Sequence, residues 1–238
     1  MSSTVPTSPP LPKELDVVVI PPLTQHTCTV IWLHGLGDCG SSWLFLTQFL
    51  APQFPTAKWI LPNAPLRSVE FNGFGVVPAW FDVASLDKSS QTKRVDEAGM
   101  LASAALVDKL IQAETKQGIN KIVLGGFSQG CVLSLLTGLT TRTKLMGIIG
   151  TSGWLPLGEK FTAIATGVNQ QTPILMCHGD EDLVVKYKYG RASSRYLASL
   201  GYRMDFKTYP GMGHVTCDEE LQHIAAFLHQ CLTPSSKL

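Results

Sequence analysis

Short runs of consecutive apolar residues alternate along this chain with longer segments of helical periodicity. Candidate strands are the apolar runs at residues 15–20, 28–33, 58–61, 121–126, 146–151, 174–177 and 204–209. Candidate helices cover residues 41–54, 94–116, 129–139, 187–200 and 218–232. Several strands are apolar at successive positions, which is typical of strands buried on both faces. The alternation predicts an α/β fold in which a mostly parallel sheet is flanked by helices.

Composition excludes several classes of protein. The 238 residues carry 19 Lys and Arg against 18 Asp and Glu, a formal charge of +1 that gives no electrostatic footprint for nucleic acid. No apolar run approaches the roughly 18 residues of a membrane span, and the N-terminus lacks the features of a secretory signal. None of the six cysteines forms a CxxC pair, which argues against a zinc ribbon or a redox dithiol. We expect one domain over residues 14–232, between tails at 1–13 and 233–238.

One long segment, residues 63–82, follows neither a strand period nor a helix period. It contains glycines and prolines among the large apolar residues Phe71, Phe74, Val76, Val77, Trp80 and Phe81. A structureless loop of this length is uncommon unless it is functional. We therefore expect a lid-like loop that covers a binding site, with simple packing on the surface as the alternative.

The segment Gly126-Phe-Ser-Gln-Gly130 matches G-x-S-x-G between a predicted strand and a predicted helix. In this context the motif forms a sharp turn that presents the serine hydroxyl at the helix N-terminus. The flanking glycines allow the strand and helix backbones to approach closely. We predict that Ser128 is a catalytic nucleophile; an ordinary strand-to-helix turn is the alternative.

A serine nucleophile needs a base, and in this arrangement the chain order is serine, acid, histidine. His214 lies in a glycine-rich loop between the last strand and the last helix, from where it can reach the serine. His178 is interpreted as a turn residue, and the two histidines after His214 lie in the last predicted helix. The acid is expected just after the strand at 174–177. The candidates there, among which spacing cannot choose, are Asp180, Glu181 and Asp182.

A glycine-rich turn, His34-Gly-Leu-Gly-Asp38, follows the predicted strand at 28–33. Backbone amides in such a turn can point at developing negative charge, and the second donor is expected to be the amide of Gln129. Residues 35–40 also match the G-x-G-x-x-G of dinucleotide sites, which require an acidic residue about 20 positions later. The next acidic residue after this turn is Glu70, which is too far along the chain for a dinucleotide site. We therefore favour the interpretation that the turn forms an oxyanion hole.

Together these segments resemble the acyl-protein thioesterase and lysophospholipase-like carboxylesterase family of α/β hydrolases, from about residue 28 to residue 232. The segments that carry the resemblance, in family order, are His34-Gly-Leu-Gly-Asp38, Asn63-Ala-Pro65, Trp80-Phe-Asp82, Gly125-Gly-Phe-Ser-Gln-Gly130, Gly153-Trp-Leu-Pro156, His178-Gly-Asp-Glu-Asp182 and Gly211-Met-Gly-His214. The resemblance implies that Ser128 is the nucleophile, His214 the base and Asp182 the acid.

The resemblance also implies substrate contacts. It places the oxyanion on the backbone amides of Leu36 and Gln129, and it assigns Leu36, Trp154 and Leu183 to an acyl channel. To these we add the loop residues Phe71, Phe74, Val76, Val77 and Trp80. One departure concerns the acid loop, where relatives often have Asp-Pro-x-Val-Pro and this chain has Asp182-Leu-Val-Val-Lys186.

The implied function is removal of fatty acyl groups from S-acylated, palmitoylated cysteines of proteins or peptides through an acyl-serine intermediate. No metal or organic cofactor is implied. Two alternatives remain: a carboxylesterase or lysophospholipase acting on small or lipid esters, and a non-catalytic ligand receptor on a hydrolase scaffold. The sequence is compatible with transient contact with a membrane surface and leaves the oligomeric state open. The resemblance implies a cytoplasmic location, whereas the C-terminal Ser236-Lys237-Leu238 matches a peroxisomal import signal.

Overall fold

The computed structural model describes residues 8–84 and 95–233. The strands, numbered along the chain, are β1 Val17–Ile20, β2 Cys28–Leu33, β3 Ala57–Pro62, β4 Leu66–Val69, β5 Gly75–Pro78, β6 Ile122–Phe127, β7 Gly147–Thr151, β8 Ile174–Gly179 and β9 Met204–Tyr209. The helices are α1 Leu44–Leu50, α2 Glu97–Lys116, α3 Gln129–Thr140, α4 Phe161–Ile164, α5 Tyr187–Ser199 and α6 Asp218–Leu232. Residues 1–7 and the predicted import signal at 236–238 lie outside the described residues.

Seven strands form the central sheet in the order β1-β3-β2-β6-β7-β8-β9. β1 pairs antiparallel with β3 and every other neighbouring pair is parallel, which confirms the predicted mostly parallel sheet. The strand order changes direction between β2 and β6, where Leu33 lies opposite Gly126. Loops that leave the carboxyl ends of strands at such a switch point frame the binding crevice of open α/β sheets.

Both faces of the sheet are buried in apolar cores. Along β2, Ile31 and Leu33 pack into the core that α2, α3 and α5 cover, while Val30 and Trp32 pack into the core under α1 and α6. All four side chains are at most 1% exposed. Because neighbouring residues of a strand point to opposite faces, a strand covered on both sides must be apolar at every position, as the sequence indicated.

Close packing of α3 against the sheet requires glycine. An ideal Cβ on Gly130 would lie 2.1 Å from the carbonyl oxygen of Leu33 in β2. A Cβ on Gly126, at the end of β6, would lie 2.6 Å from the backbone of Gly130. Both glycines of the G-x-S-x-G motif therefore allow the strand-to-helix approach that was predicted from the sequence.

Residues 63–82, expected to form a loop without regular structure, instead contain the antiparallel hairpin of β4 and β5. Each strand has only four residues, and the buried part of β4 includes Arg67, whose Nη2 donates to Ser103 Oγ at 3.1 Å. A buried arginine in so short a strand conceals the apolar alternation on which strand prediction depends. The hairpin turn passes through Gly73 and Phe74, which both have left-handed φ values.

The hairpin is tied to the body of the protein by backbone hydrogen bonds. Gly37 N–H donates to Pro78 O at 2.8 Å, and Phe71 N–H donates to Val83 O at 2.8 Å. The first of these bonds joins β5 to the glycine-rich turn after β2. The hairpin thus lies beside the edge of the sheet where β2 and β6 end.

Two predicted helices differ from the structure by more than one residue at an end. The segment 41–54 contains one turn of 3₁₀ helix, α1 and a second 3₁₀ turn at Ala51–Gln53. Pro52 has no N–H to continue the α-helical ladder. The helix predicted at 94–116 begins at Glu97, because Asp96 caps it by accepting the N–H of Gly99 at 2.9 Å. Arg94 lies outside the described residues.

Gly130→Ala should destabilise the protein even though alanine favours helices. The overlap of the new Cβ with Leu33 O should cost about 1–3 kcal/mol, as overpacking does, which outweighs a gain in helix propensity of roughly 1 kcal/mol. We expect a lower urea midpoint at an unchanged m-value. Gly213→Ala is the matched control, since its Cβ would meet nothing within 4 Å. Equal midpoints for the two variants would contradict the packing argument.

Candidate active site

A strained turn connects β6 to α3. Ser128 has φ 55° and ψ −116°, a conformation that L-residues rarely adopt and that costs on the order of 1–3 kcal/mol. Its N–H donates to Thr151 O of β7 at 2.8 Å, and its carbonyl accepts from Val132 N–H at 3.2 Å. These bonds fix the serine at the N-terminus of α3, where the helix dipole favours negative charge.

Three side chains singled out in the sequence meet at this turn. Ser128 Oγ lies 2.9 Å from His214 Nε2, and His214 Nδ1 lies 2.7 Å from Asp182 Oδ2. Because an ionised carboxylate can only accept, Nδ1–H donates to Asp182 and Nε2 is left to accept the serine proton. The ring of Phe127 supports the imidazole of His214, with ring centroids 4.7 Å apart. This chain of contacts has the geometry of a serine–histidine–acid triad.

Asp182 is a buried carboxylate surrounded by donors. Oδ1 accepts from the N–H of Val184 at 2.9 Å and of Val185 at 2.8 Å, while Oδ2 faces His214 and His178. Burial alone would raise the pKa of Asp182, but the hydrogen bonds from His178 and His214 hold this pKa well below its usual value. The carboxylate therefore stays ionised at neutral pH and can stabilise a protonated His214.

The other two candidate acids have different surroundings. Asp180 Oδ1 accepts the N–H of Gly211 at 2.7 Å, so this side chain joins the acid loop to the loop of His214. Glu181 is exposed, and its backbone N–H donates to Met212 O at 3.2 Å. Asp182 alone among the three contacts His214.

His178, interpreted above as a turn residue, lies inside β8 and is fully buried. Its Nε2 is 2.7 Å from Val185 O and 3.3 Å from Asp182 Oδ2. The local sequence gave no signal for this role, because the contact exists only after the acid loop folds back over the end of the strand.

Two backbone segments flank the serine, the first turn of α3 and the turn after β2. Gln129 is the first residue of α3, so its N–H lacks a partner within the helix. The turn after β2 approaches from the other side, where a Cβ on Gly35 would lie 3.4 Å from Ser128 Cβ. The next residue, Leu36, is half-buried and its N–H donates to no residue in the described part of the chain. Amides placed in this way can stabilise an oxyanion.

The side chain of Gln129 makes a contact that the sequence did not indicate. Its Oε1 accepts from Trp80 N–H at 2.8 Å, and its Nε2 donates to Phe81 O at 2.7 Å. Trp80 in turn donates its indole N–H to His34 O at 2.8 Å. The chain that follows the hairpin is therefore bound to both backbone segments beside the serine.

His34 is a buried structural histidine. Ala64 N–H donates to its Nε2 at 2.9 Å, and its Nδ1–H donates to Gly35 O at 2.6 Å. Burial lowers the pKa of His34, which the bond to Gly35 only partly offsets. The ring is thus neutral at physiological pH, with both nitrogens used to shape the turn after β2.

The predicted acyl contacts differ in exposure. The exposed ones are Leu183 at 89%, Phe71 at 52% and Val76 at 47%. The half-buried ones are Leu36, Phe74, Val77 and Trp154. Trp80 is fully buried in the core, so it supports the site from within and offers no open surface.

Within residues 8–84 and 95–233, no three His, Cys, Asp or Glu side chains converge in a way that could hold a metal ion. Over the same ranges, no helix is long and apolar enough to cross a membrane.

Comparison with known proteins places the chain among esterases. A family model described as phospholipase/carboxylesterase matches residues 15–232. The chain is 40% identical over 237 residues to acyl-protein thioesterase 1 of Cryptococcus neoformans, covering 93% of this chain and 100% of that protein. It is 42% identical over 227 residues to acyl-protein thioesterase 1 of Gibberella zeae, covering 92% of this chain and 97% of that protein.

Solved structures of related proteins have the same fold as this chain. The crystal structure of Zea mays acyl-protein thioesterase 2 matches with a TM-score of 0.80 at 35% identity, covering 90% of this chain and 98% of that one. Arabidopsis thaliana SOBER1 matches with a TM-score of 0.81 at 32% identity, covering 86% and 99%. The chain therefore belongs to the phospholipase/carboxylesterase family of α/β hydrolases, in the group of the acyl-protein thioesterases.

Proposed function

We propose that this protein is a serine hydrolase that removes fatty acyl groups from S-acylated cysteines of proteins. The observation that carries the proposal is the contact chain Ser128–His214–Asp182 at a strained strand-to-helix turn. The relatives named acyl-protein thioesterases, which match over 93% of the chain in one case, support the substrate class.

The contacts support one order of proton transfers. His214 Nε2 takes the proton of Ser128 as Oγ attacks the acyl carbonyl carbon, and the oxyanion lies against the amides of Leu36 and Gln129. Asp182 stabilises the imidazolium. His214 then protonates the leaving cysteine thiolate, which leaves an acyl-serine. Water, deprotonated by His214, attacks this ester and releases the fatty acid and the free serine.

The surroundings of the triad suit an apolar acyl chain. Leu183, next to Asp182, is 89% exposed, and Val215, next to His214, is 56% exposed. Exposed apolar side chains beside reacting groups gain by being covered. A fatty acyl chain bound across these residues would cover them.

A carboxylesterase or lysophospholipase activity is the second candidate, and the description of the matching family model favours it. It requires the same triad, so the geometry of the reacting groups does not separate it from thioesterase activity. A non-catalytic receptor has less support, since serine, histidine and acid are all present and in contact.

We further propose that the enzyme acts in the cytoplasm on acylated proteins held at membrane surfaces. The Ser236-Lys237-Leu238 terminus lies outside the described residues, so peroxisomal import stays a prediction from the sequence.

Ser128→Ala should abolish turnover while leaving the fold intact. Loss of a triad member lowers kcat by about 10⁴–10⁶-fold. The measurement is hydrolysis of an S-palmitoyl peptide, a lysophospholipid and a short aryl ester by both proteins, together with labelling by a fluorophosphonate probe. We expect the wild type to show its highest kcat/KM on the thioester and the variant to be unlabelled. Activity of more than a few per cent in the variant would show that another nucleophile is at work.

Asp182→Asn should lower kcat far more than Glu181→Gln, which is the matched control on the same loop. Only Asp182 holds the Nδ1–H tautomer of His214, a role worth about 10⁴ in kcat in a serine protease. Asp180→Asn should instead lower the melting temperature, because it weakens the bond to Gly211. Kinetics and thermal melts of the three variants test this, and equal kcat losses at 181 and 182 would refute the choice of acid.

The tip of the hairpin should contribute to binding of long acyl chains. Each buried methylene adds up to about 0.8 kcal/mol, roughly fourfold in kcat/KM per carbon, so kcat/KM should climb with acyl length. Replacing Phe71 and Phe74 by serine should flatten this climb and spare acetyl esters. The control is Leu23→Ser, an exposed leucine between β1 and β2. Identical profiles for the double variant and wild type, measured below the micelle threshold, would mean that the hairpin only packs on the surface.

A further inference from the structure

A second histidine lies against the acid of the triad. His178 is fully buried, with Nε2 at 2.7 Å from Val185 O and 3.3 Å from Asp182 Oδ2. Its Nδ1 has no hydrogen-bond partner among the described residues. The ring proton therefore belongs on Nε2, the nitrogen that faces two oxygen acceptors. The imidazole donates into the acid loop.

The acid loop needs such a contact. Residues 180–186 include no proline that would restrict the backbone. The turn is closed on one side by Asp182 Oδ1, which accepts the N–H groups of Val184 and Val185. His178 closes the other side, because its Nε2 binds the carbonyl of Val185. Both polar backbone groups of Val185 are then bonded, one to the carboxylate and one to the imidazole.

Packing holds the ring of His178 in one place. Its backbone belongs to β8, and the ring of Tyr187 meets it edge-on with centroids 5.9 Å apart. A Cβ on Gly190 would lie 2.3 Å from His178 Nδ1. Gly190 is the fourth residue of α5, a helical position where alanine would be the better helix former. The missing side chain thus leaves the space that the imidazole occupies.

We propose that His178 is a positioning residue for the triad, which locks Val185 and Oδ2 of Asp182 so that the carboxylate points at His214 Nδ1. This role rests on the proposed triad and adds to it a residue that does not touch the substrate. Misplacement of a catalytic group by about 1 Å can cost 10²-fold in rate, so a rigid donor behind the acid has a direct kinetic effect.

The test compares two substitutions at this position. His178→Leu keeps an apolar volume and removes the donor, whereas His178→Gln keeps an N–H at about the reach of Nε2. Each is made in the wild type and in Asp182→Asn, with His223→Leu as the control, a part-buried histidine of α6 that bonds to the hydroxyl of Tyr209 at 3.0 Å. The readouts are kcat and KM on a soluble short-chain thioester, the rate of fluorophosphonate labelling, and the melting temperature.

We expect His178→Leu to lower kcat and the labelling rate about 10–100-fold, with KM within about twofold of wild type. His178→Gln should restore most of kcat, and His223→Leu should leave it unchanged. In the Asp182→Asn background the leucine should cost little more, since residues that act through one another are not additive.

The outcomes separate the two proposals. If Asp182→Asn leaves kcat unchanged, the triad itself is refuted. If Asp182→Asn lowers kcat but folded His178→Leu does not, or if the two losses simply multiply, only the positioning role is overturned. Should His178→Leu fail to fold, Gly190→Ala displaces the ring without replacing it. A fall in kcat at constant KM in that variant supports the role, and an unchanged kcat overturns it.

Discussion

The distance between α3 and the carboxyl end of β2 controls the whole site. Gly130 lies so close to Leu33 O that no side chain fits between them. This contact brings the N-terminus of α3 beside the turn that follows β2. Ser128 and the first residue of α3, Gln129, consequently lie beside the turn that contains Gly35 and Leu36. A wider separation would move Ser128 away from the turn after β2.

Buried polar side chains, more than regular secondary structure, fix the loops around that point. Gln129 binds the chain after the hairpin, His34 uses both ring nitrogens within the turn after β2, and Asp182 closes its own loop with two backbone amides. Inside a protein such bonds are strong, and leaving them unmade is costly. The loops are therefore held by specific partners, and each partner is a single residue whose removal affects one loop.

Strands and helices with a regular apolar pattern, and motifs within a few residues, could be predicted from the sequence. Contacts between residues far apart in the chain could not. The predicted limits of β2, β9 and α6 agree with the structure to the residue, and the serine turn follows from its motif. The hairpin escaped prediction because its short strands bury Arg67. Choosing among three neighbouring carboxylates required the family resemblance. The bond between Gln129 and Trp80 joins residues 49 positions apart, a separation at which residue types alone carry no signal.

Gln129 combines a side-chain clamp and a backbone amide in one residue. Ordinary coded substitutions remove these side-chain hydrogen bonds and leave the amide in place, so mutational scans at this position do not test the oxyanion contact that we propose for the amide. Proline is the coded residue without an N–H, but it confines the preceding residue to extended conformations, and Ser128 has φ 55°. The contribution of the residue 129 N–H to the rate can be measured only by semisynthesis, in which an ester replaces the peptide bond between Ser128 and residue 129.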